Sequence, residues 1–272
     1  MTDRDPASFD SPEPAVSAQA GGSTVDARPP NPLTVRRGIL ALLIMYGCQT
    51  LVGVAFAYGV KLFGGGDQGA ASVDIQMVGM TSVLVGGALV LVWVWTDIRK
   101  RSASFKHQIG LRPTAIPAHH GALLVALLLG GTHLLAWVYR SLLLPLVGHG
   151  GVIGGGSQMF AHIQETGSVP GMAAFLTLAL FVGPVMEEVV FRGYLQSALT
   201  SRFPTWIAIL LTSLVFMAGH GPMVLWPMYL LYSIAWGWLF VRTGSLRASI
   251  ALHSLSNLFY TVVGFMGWEI LA

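Results

Sequence analysis

Charged residues are scarce in this chain: they make up 10% of its 272 residues, while hydrophobic residues make up 54%. A typical soluble domain carries about 25% charged residues. The shortage excludes an ordinary soluble domain, and a net charge of only +3 argues against a nucleic-acid-binding protein. We therefore expect an integral membrane protein that crosses the lipid bilayer several times.

Cysteine is almost absent as well. Cys48 is the single cysteine in the sequence, so an intrachain disulfide and a cysteine-ligated metal site are both excluded. The first 35 residues lack the apolar core of a signal peptide and are rich in Pro, Ser, Ala and Asp. We expect residues 1–35 to form a disordered cytoplasmic tail and residues 36–272 to form a transmembrane helical domain.

Long apolar segments fill most of the remaining chain. A membrane-spanning helix needs about 20 apolar residues, and the sequence offers seven candidates, at 38–62, 75–96, 120–147, 170–200, 204–220, 223–241 and 247–270. The predicted fold is an all-α, polytopic transmembrane helical bundle of about seven spans. The glycine-rich stretch 148–169 is expected to be a plain linker, with a flexible lid or a re-entrant segment as the alternatives.

Basic residues are concentrated in alternate loops between these spans, whereas the opposite loops hold only Lys61. The positive-inside rule therefore predicts a cytoplasmic N-terminus and, with seven spans, a C-terminus on the outside. The clustered basic residues are Arg36, Arg37, Arg99, Lys100, Arg101, Lys106, Arg112, Arg202, Arg242 and Arg247.

Two adjacent carboxylates interrupt the fourth apolar segment. Glu187 and Glu188 are followed by Arg192 in an otherwise apolar run, although a charge inside a membrane costs from about 3 to more than 10 kcal/mol. Glu188 and Arg192 are spaced i, i+4, so they can pair on one helix face as a structural ion pair. Glu187 points about 100° away. Because one arginine does not compensate two buried acids, Glu187 is the better candidate for a general base facing a cavity.

A histidine on the fifth segment is predicted to meet Glu187. Phe216 and His220 are spaced i, i+4, so they share one helix face. Glu187 and His220 are each 16 residues from the turn at 203–204, which places both roughly 24 Å along antiparallel helices. The matching distances predict that the carboxylate and the imidazole lie at the same depth.

The last segment carries a further polar face. His253 and Asn257 are spaced i, i+4, so an imidazole and an amide lie on the same side of the helix. The spacing alone supports a structural and a functional interpretation about equally. His133 lies within the third segment without an obvious partner, and we expect it to be a packing residue.

Taken together, the three motifs resemble the CPBP family of intramembrane proteases, which includes type II CAAX prenyl endopeptidases and bacterial Abi-type proteins. The family pattern is Glu-Glu-x-x-x-Arg, then Phe-x-x-x-His, then His-x-x-x-Asn, on separate membrane helices. This sequence reads EEVVFR at 187–192, FMAGH at 216–220 and HSLSN at 253–257. The resemblance covers a catalytic core at about 170–260.

The resemblance implies an endopeptidase that hydrolyses a membrane-associated protein or peptide, which can be lipidated, in a bacterial cell membrane. Carried over to this sequence, Glu187 activates the water and His220 helps to hold it. His253 and Asn257 polarise the scissile carbonyl and stabilise the oxyanion. The second glutamate and the arginine of the first motif, Glu188 and Arg192, support the site.

The resemblance leaves the cofactor open, because the family has been viewed both as metal-dependent and as glutamate-dependent. Glu187, His220 and His253 would make a three-ligand zinc site, but the sequence has no HExxH zinc signature. We favour a mechanism that requires no cofactor and keep a divalent metal such as zinc as the alternative.

Two other classes of function compete with this interpretation. Buried Glu, His and Arg side chains also form proton relays in proton-coupled transporters, although the paired half repeats of a transporter are not visible in the sequence. A non-catalytic membrane scaffold or immunity protein would use the same polar cluster for helix packing alone.

Overall fold

The structure is a computed structural model that describes residues 33–63, 74–149, 152 and 154–266. Most of the predicted tail 1–35 lies outside the described residues. The described part of the chain folds into helices and contains no strand, which confirms the predicted all-α class.

Nine helices follow one another along the described ranges. They are α1 Val35–Phe63, α2 Ile75–Arg99, α3 Ala103–Gln108, α4 Ala118–Leu146, α5 Gly155–Thr166, α6 Val169–Leu199, α7 Thr205–Ala218, α8 Trp226–Thr243 and α9 Leu246–Phe265. A π-helical stretch, Tyr139–Leu143, lies within α4, and two more, Leu178–Val182 and Val189–Gln196, lie within α6. Such stretches inside α-helices are rare and frequently occur at functional sites.

Six of these helices are long and apolar enough to cross a membrane: α1, α2, α4, α6, α8 with its preceding turn, and α9. The fifth predicted span corresponds to α7, which has 14 residues and is therefore about 21 Å long. A hydrocarbon core is about 30 Å thick. The predicted polytopic bundle is confirmed as six candidate spans and one shorter apolar helix.

The stretch 148–169 is not a plain linker. Its central part forms α5, which buries Phe160 and Ile163, and the Phe160 ring centroid lies 4.8 Å from that of Phe265 in α9. Gly167 ends α5 with a φ angle of 62°, a conformation that glycine adopts easily. The linker prediction is wrong here because the glycines lie mostly at the start and end of a short amphipathic helix.

The second half of α6 is enclosed by its neighbouring helices. It contacts α1, α2, α7, α8 and α9, and every residue of its second π stretch is buried. The outer helices instead expose apolar side chains, such as Leu43 and Leu51 in α1. Because protein surrounds α6, its charged residues are kept away from lipid.

A buried carboxylate fixes one end of α6 to α1 and α2. Asp97, near the end of α2, accepts a hydrogen bond from the Tyr194 hydroxyl at 2.9 Å. It also forms ion pairs with Arg37 at the start of α1 and with Arg101, the latter at 3.4 Å. One side chain therefore joins three helices at the basic ends of α1 and α2.

This junction predicts that Asp97→Asn destabilises the fold, because it leaves two arginines without their counter-charge. We expect a loss of about 2 kcal/mol in the free energy of unfolding, between the values for exposed and for buried ion pairs, because both arginines are partly exposed. Thermal unfolding in detergent measures the change.

The matched control is Asp74→Asn at the other end of α2, where asparagine caps a helix nearly as well as aspartate. Its ion pair with His162 is partly exposed, so the substitution should cost less than about 1 kcal/mol. Equal destabilisation by the two variants would contradict the assignment of Asp97 as the junction.

Candidate active site

A fully buried ion pair lies at the centre of the bundle. Arg192 Nη1 is 2.9 Å from Glu188 Oε1, and neither side chain has solvent exposure. Arg192 Nη2 also donates to the Ser233 hydroxyl at 2.8 Å and to the Ser233 carbonyl at 3.0 Å. The pairing predicted from the i, i+4 spacing is therefore present within α6. The hydrogen bonds of Arg192 to Ser233 connect α6 to α8.

Aromatic rings enclose this pair. The guanidinium carbon of Arg192 lies 5.1 Å from the ring centroid of Phe216 and 5.3 Å from that of Trp236. Both distances allow cation–π attraction. One turn further along α6, Gln196 donates to the Gly237 carbonyl at 3.0 Å. Glu188, Arg192 and Gln196 are spaced four residues apart, and their hydrogen bonds connect α6 to α8 and α9.

The neighbouring carboxylate faces two imidazoles. Glu187 Oε2 lies 3.8 Å from His220 Nε2 and 3.8 Å from His253 Nε2, and the Glu187 side chain is 17% exposed. Both distances exceed a direct hydrogen bond. The predicted meeting of Glu187 with His220 is present, and α9 brings His253 to the same carboxylate.

Fixed hydrogen bonds set the orientation of both rings. His220 Nδ1 lies 2.6 Å from the Phe216 carbonyl, and His253 Nδ1 lies 3.1 Å from Glu188 Oε1. A carbonyl and an ionised carboxylate only accept hydrogen bonds, so Nδ1 carries the hydrogen in each ring. In the neutral rings, both Nε2 atoms therefore present lone pairs toward Glu187.

Stacking holds the two rings in place. The His253 ring lies 3.8 Å from the Trp236 ring at an interplanar angle of 16°, and the His220 ring lies 4.0 Å from the Phe216 ring at 21°. The Phe216–His220 spacing visible in the sequence therefore corresponds to a stacked pair. Trp236 and Ser233 were missed by the sequence analysis, because no short motif connects them to the histidines.

Asn257 makes a contact that the sequence does not indicate. Its side-chain nitrogen donates to the Ala179 carbonyl at 2.8 Å. In the first π stretch the Gly183 amide bonds to the Leu178 carbonyl, five residues back. The next residue is Pro184, which has no N–H, so Ala179 has no backbone donor in that register. Asn257 supplies the missing donor with one N–H and keeps a second.

His133 occupies a separate aromatic cluster. Its Nδ1 lies 2.7 Å from the Leu129 carbonyl, and its ring packs against Tyr232, Phe259 and Tyr260 at centroid distances of 5.3, 4.4 and 5.2 Å. The predicted packing role agrees with these contacts.

Glu187, His220 and His253 are the side chains that would hold a metal ion at this site. Two imidazole lone pairs and a carboxylate are donors that zinc accepts. However, no group of three or more His, Cys, Asp or Glu among the described residues is arranged to hold a metal ion. We therefore derive no chemical step through a metal.

The fold and this site define a membrane protein with a glutamate and two histidines enclosed by helices. Residues 169–259 match the family model described as Type II CAAX prenyl endopeptidase Rce1-like. The resemblance predicted from the three motifs is thus confirmed over this segment, and the match and the helical bundle together support an intramembrane protease. No curated protein and no solved structure matches the chain.

The contact between Asn257 and Ala179 predicts a specific coupling. Asn257→Leu leaves a partly buried carbonyl unpaired and should lower the free energy of unfolding by about 1 kcal/mol. Pro184→Ala restores an N–H that can bond to Ala179, so the same asparagine substitution should cost less than half as much in that background. A double-mutant cycle of unfolding in detergent measures the coupling and subtracts the direct effect of Pro184→Ala. Equal losses in both backgrounds would show that Asn257 does not substitute for the missing proline donor.

Proposed function

We propose that the chain is an intramembrane endopeptidase that hydrolyses a peptide bond of a membrane-associated protein or peptide. The observation that carries the proposal is the position of the Glu187 carboxylate, which faces Nε2 of two histidines within a bundle of membrane helices. The match of residues 169–259 to a family of endopeptidases supports the same reaction.

The hydrogen-bonding character of these groups favours water as the third reactant. Glu187 and the two neutral Nε2 atoms are all acceptors, and acceptors that converge require a donor between them. A water molecule has two hydrogens, so it can donate one to Glu187 and the other to His220. The 3.8 Å separation between those two groups is too long for a direct bond and allows both to contact one water oxygen.

The proposed reaction begins when Glu187 accepts a proton from this water and the oxygen attacks the scissile carbonyl carbon. The C–O bond forms, and the carbonyl oxygen takes the negative charge. The tetrahedral intermediate then collapses with cleavage of the C–N bond. Glu187 returns its proton to the departing nitrogen, so the products are a carboxylic acid and an amine, with one water consumed.

The oxyanion requires donors that face the same space. We propose that the neutral His253 of the resting site takes up a proton from solvent at Nε2 when the substrate binds and then supplies Nε2–H, because Glu188 already holds its Nδ1–H. Asn257 supplies its second N–H while the first stays on Ala179. Each such donor typically contributes about 10²–10³-fold to the rate. Glu188 and Arg192 position His253 rather than contact the substrate.

We propose that the protein lies in a cell membrane with its N-terminus in the cytoplasm. The family resemblance points to a bacterial membrane. The basic residues at the start of α1 and at the end of α2 face the cytoplasmic side under the positive-inside rule. α7 begins beside Arg202 and α8 ends at Arg242 and Thr243, so the two form an antiparallel pair. When α7 and the irregular residues 219–225 together cross the membrane once, the chain crosses it seven times in all. The end of α9 then lies on the outside.

The proposed base predicts that Glu187→Gln abolishes cleavage without unfolding the protein. The substitution removes a proton acceptor that carries none of the helix-docking bonds, so the rate should fall by about 10²–10⁴-fold. Purified protein in liposomes is assayed with an internally quenched fluorescent peptide that ends in a farnesylated Cys-aliphatic-aliphatic-X sequence. The rise in fluorescence measures the rate of cleavage. Membrane peptides of cells with either form are compared by proteomics, which covers substrates without a prenyl group.

The control is Glu165→Gln, which removes an exposed carboxylate of α5 and should leave the rate unchanged. Full activity of Glu187→Gln would contradict the proposed base. Identical peptide profiles with an unchanged cellular role would favour a scaffold, and loss of proton-linked uptake alone would favour a transporter. A chelator arm is included, and loss of cleavage on chelation that zinc restores would replace the metal-free mechanism with a metal-dependent one.

A further inference from the structure

The candidate site has more acceptors than donors. The carboxylate of Glu187 and the neutral Nε2 atoms of His220 and His253 converge without an N–H or O–H of their own. His253 donates from Nε2 only when it is protonated, and Asn257 has already committed one N–H to Ala179. A neutral donor that is always available would therefore strengthen the site during the formation of an oxyanion.

A hydroxyl group on α1 lies beside this cluster. A Cβ atom built on Gly219 would collide with Tyr46 Oη and would lie 3.3 Å from Tyr46 Cζ. Gly219 directly precedes His220, and the Tyr46 phenol also interacts electrostatically with Glu187. The Tyr46 hydroxyl makes no hydrogen bond to another described residue, and the side chain is 37% exposed. No described residue therefore occupies its donor, which lies beside the residue that precedes His220.

The packing of α1 explains why Tyr46 points there. Ala41 and Met45 are buried, Gly38 lies against Leu195 of α6, and Gln49 donates to the Met186 sulfur at 3.5 Å. These residues recur every three or four positions and form the face of α1 that contacts α6. Tyr46 lies at the edge of that face, so its ring extends past α6 toward the end of α7.

We propose that Tyr46 is a further catalytic residue, whose hydroxyl donates a hydrogen bond to the scissile carbonyl oxygen as that oxygen becomes anionic. This inference rests on the proposed peptidase function. In the resting site the negative charge resides on Glu187. When Glu187 takes the proton of water, that charge moves to the carbonyl oxygen, and the hydroxyl follows it without losing its own proton. Tyr46 lies outside the segment 169–259 that matches the family model.

The test is Tyr46→Phe, which removes one oxygen atom and keeps the ring. In the liposome assay with the farnesylated peptide, we expect kcat to fall by about 10²-fold, as for the loss of an oxyanion donor. KM should stay within about twofold, because the hydrogen bond forms in the transition state only. The thermal midpoint in detergent should not change. The matched control is Tyr58→Phe, an exposed tyrosine of the same helix, which should keep full activity.

A second variant tests the geometry independently. Gly219 has a φ angle of −84°, which alanine also adopts. The methyl group introduced by Gly219→Ala would occupy the position of the Tyr46 hydroxyl and displace it. It should lower kcat by a similar factor, and the double variant with Tyr46→Phe should be no slower than either single variant.

If Tyr46→Phe keeps the kcat of the unchanged protein while Glu187→Gln is inactive, the role of Tyr46 is overturned. The proposed function then remains intact. A raised KM or a lowered thermal midpoint with unchanged kcat would overturn it in favour of a packing role. Absence of cleavage by the unchanged protein in both the peptide assay and the proteomic comparison would overturn the peptidase function and this inference with it.

Discussion

The Glu188–Arg192 ion pair is the interaction on which the rest of the structure depends. Two opposite charges removed from water are costly unless further partners hold them. Here Ser233 accepts from Arg192 Nη2, His253 lies within hydrogen-bond distance of Glu188 Oε1, and Phe216 and Trp236 cover the guanidinium. These partners come from α7, α8 and α9, so one buried pair brings together α9, which carries His253, and α7, which ends just before His220. The pair thereby orients the imidazole on which the proposed chemistry relies.

The adjacent residues Glu187 and Glu188 have different surroundings because consecutive helical residues point in different directions. Glu188 faces Arg192 and is fully buried, while Glu187 faces the two Nε2 atoms and keeps some exposure. Arg192 is already committed to Glu188 and Ser233, so it does not bind Glu187. A π stretch lies on each side of the two glutamates. In the first stretch Pro184 leaves the Ala179 carbonyl without a backbone donor, and Asn257 donates to it. The conformation of α6 is therefore part of the site.

Much of the site could be predicted from local spacing. The i, i+4 rule places Glu188 with Arg192 and Phe216 with His220, and equal distances from a turn place Glu187 beside His220. The apolar segments likewise indicate the helices. Tyr46, Trp236 and Ser233 reach the site through long-range packing, which leaves no local pattern. The proline that displaces a hydrogen bond at Ala179 and the short helix within 148–169 were also hidden, because composition does not encode the hydrogen-bond register.

The central claim is that His253 is held by Glu188 through Nδ1 and presents Nε2 to Glu187. Nitrogen-15 NMR of histidine-labelled protein in detergent measures it, with the His253 signals assigned from their absence in His253→Gln. We expect the hydrogen of neutral His253 to reside on Nδ1. Glu188→Gln should shift the Nδ1 signal of His253 but not that of His220, which is bound to a backbone carbonyl. A hydrogen on Nε2 of neutral His253, or an Nδ1 signal insensitive to Glu188→Gln, would contradict it.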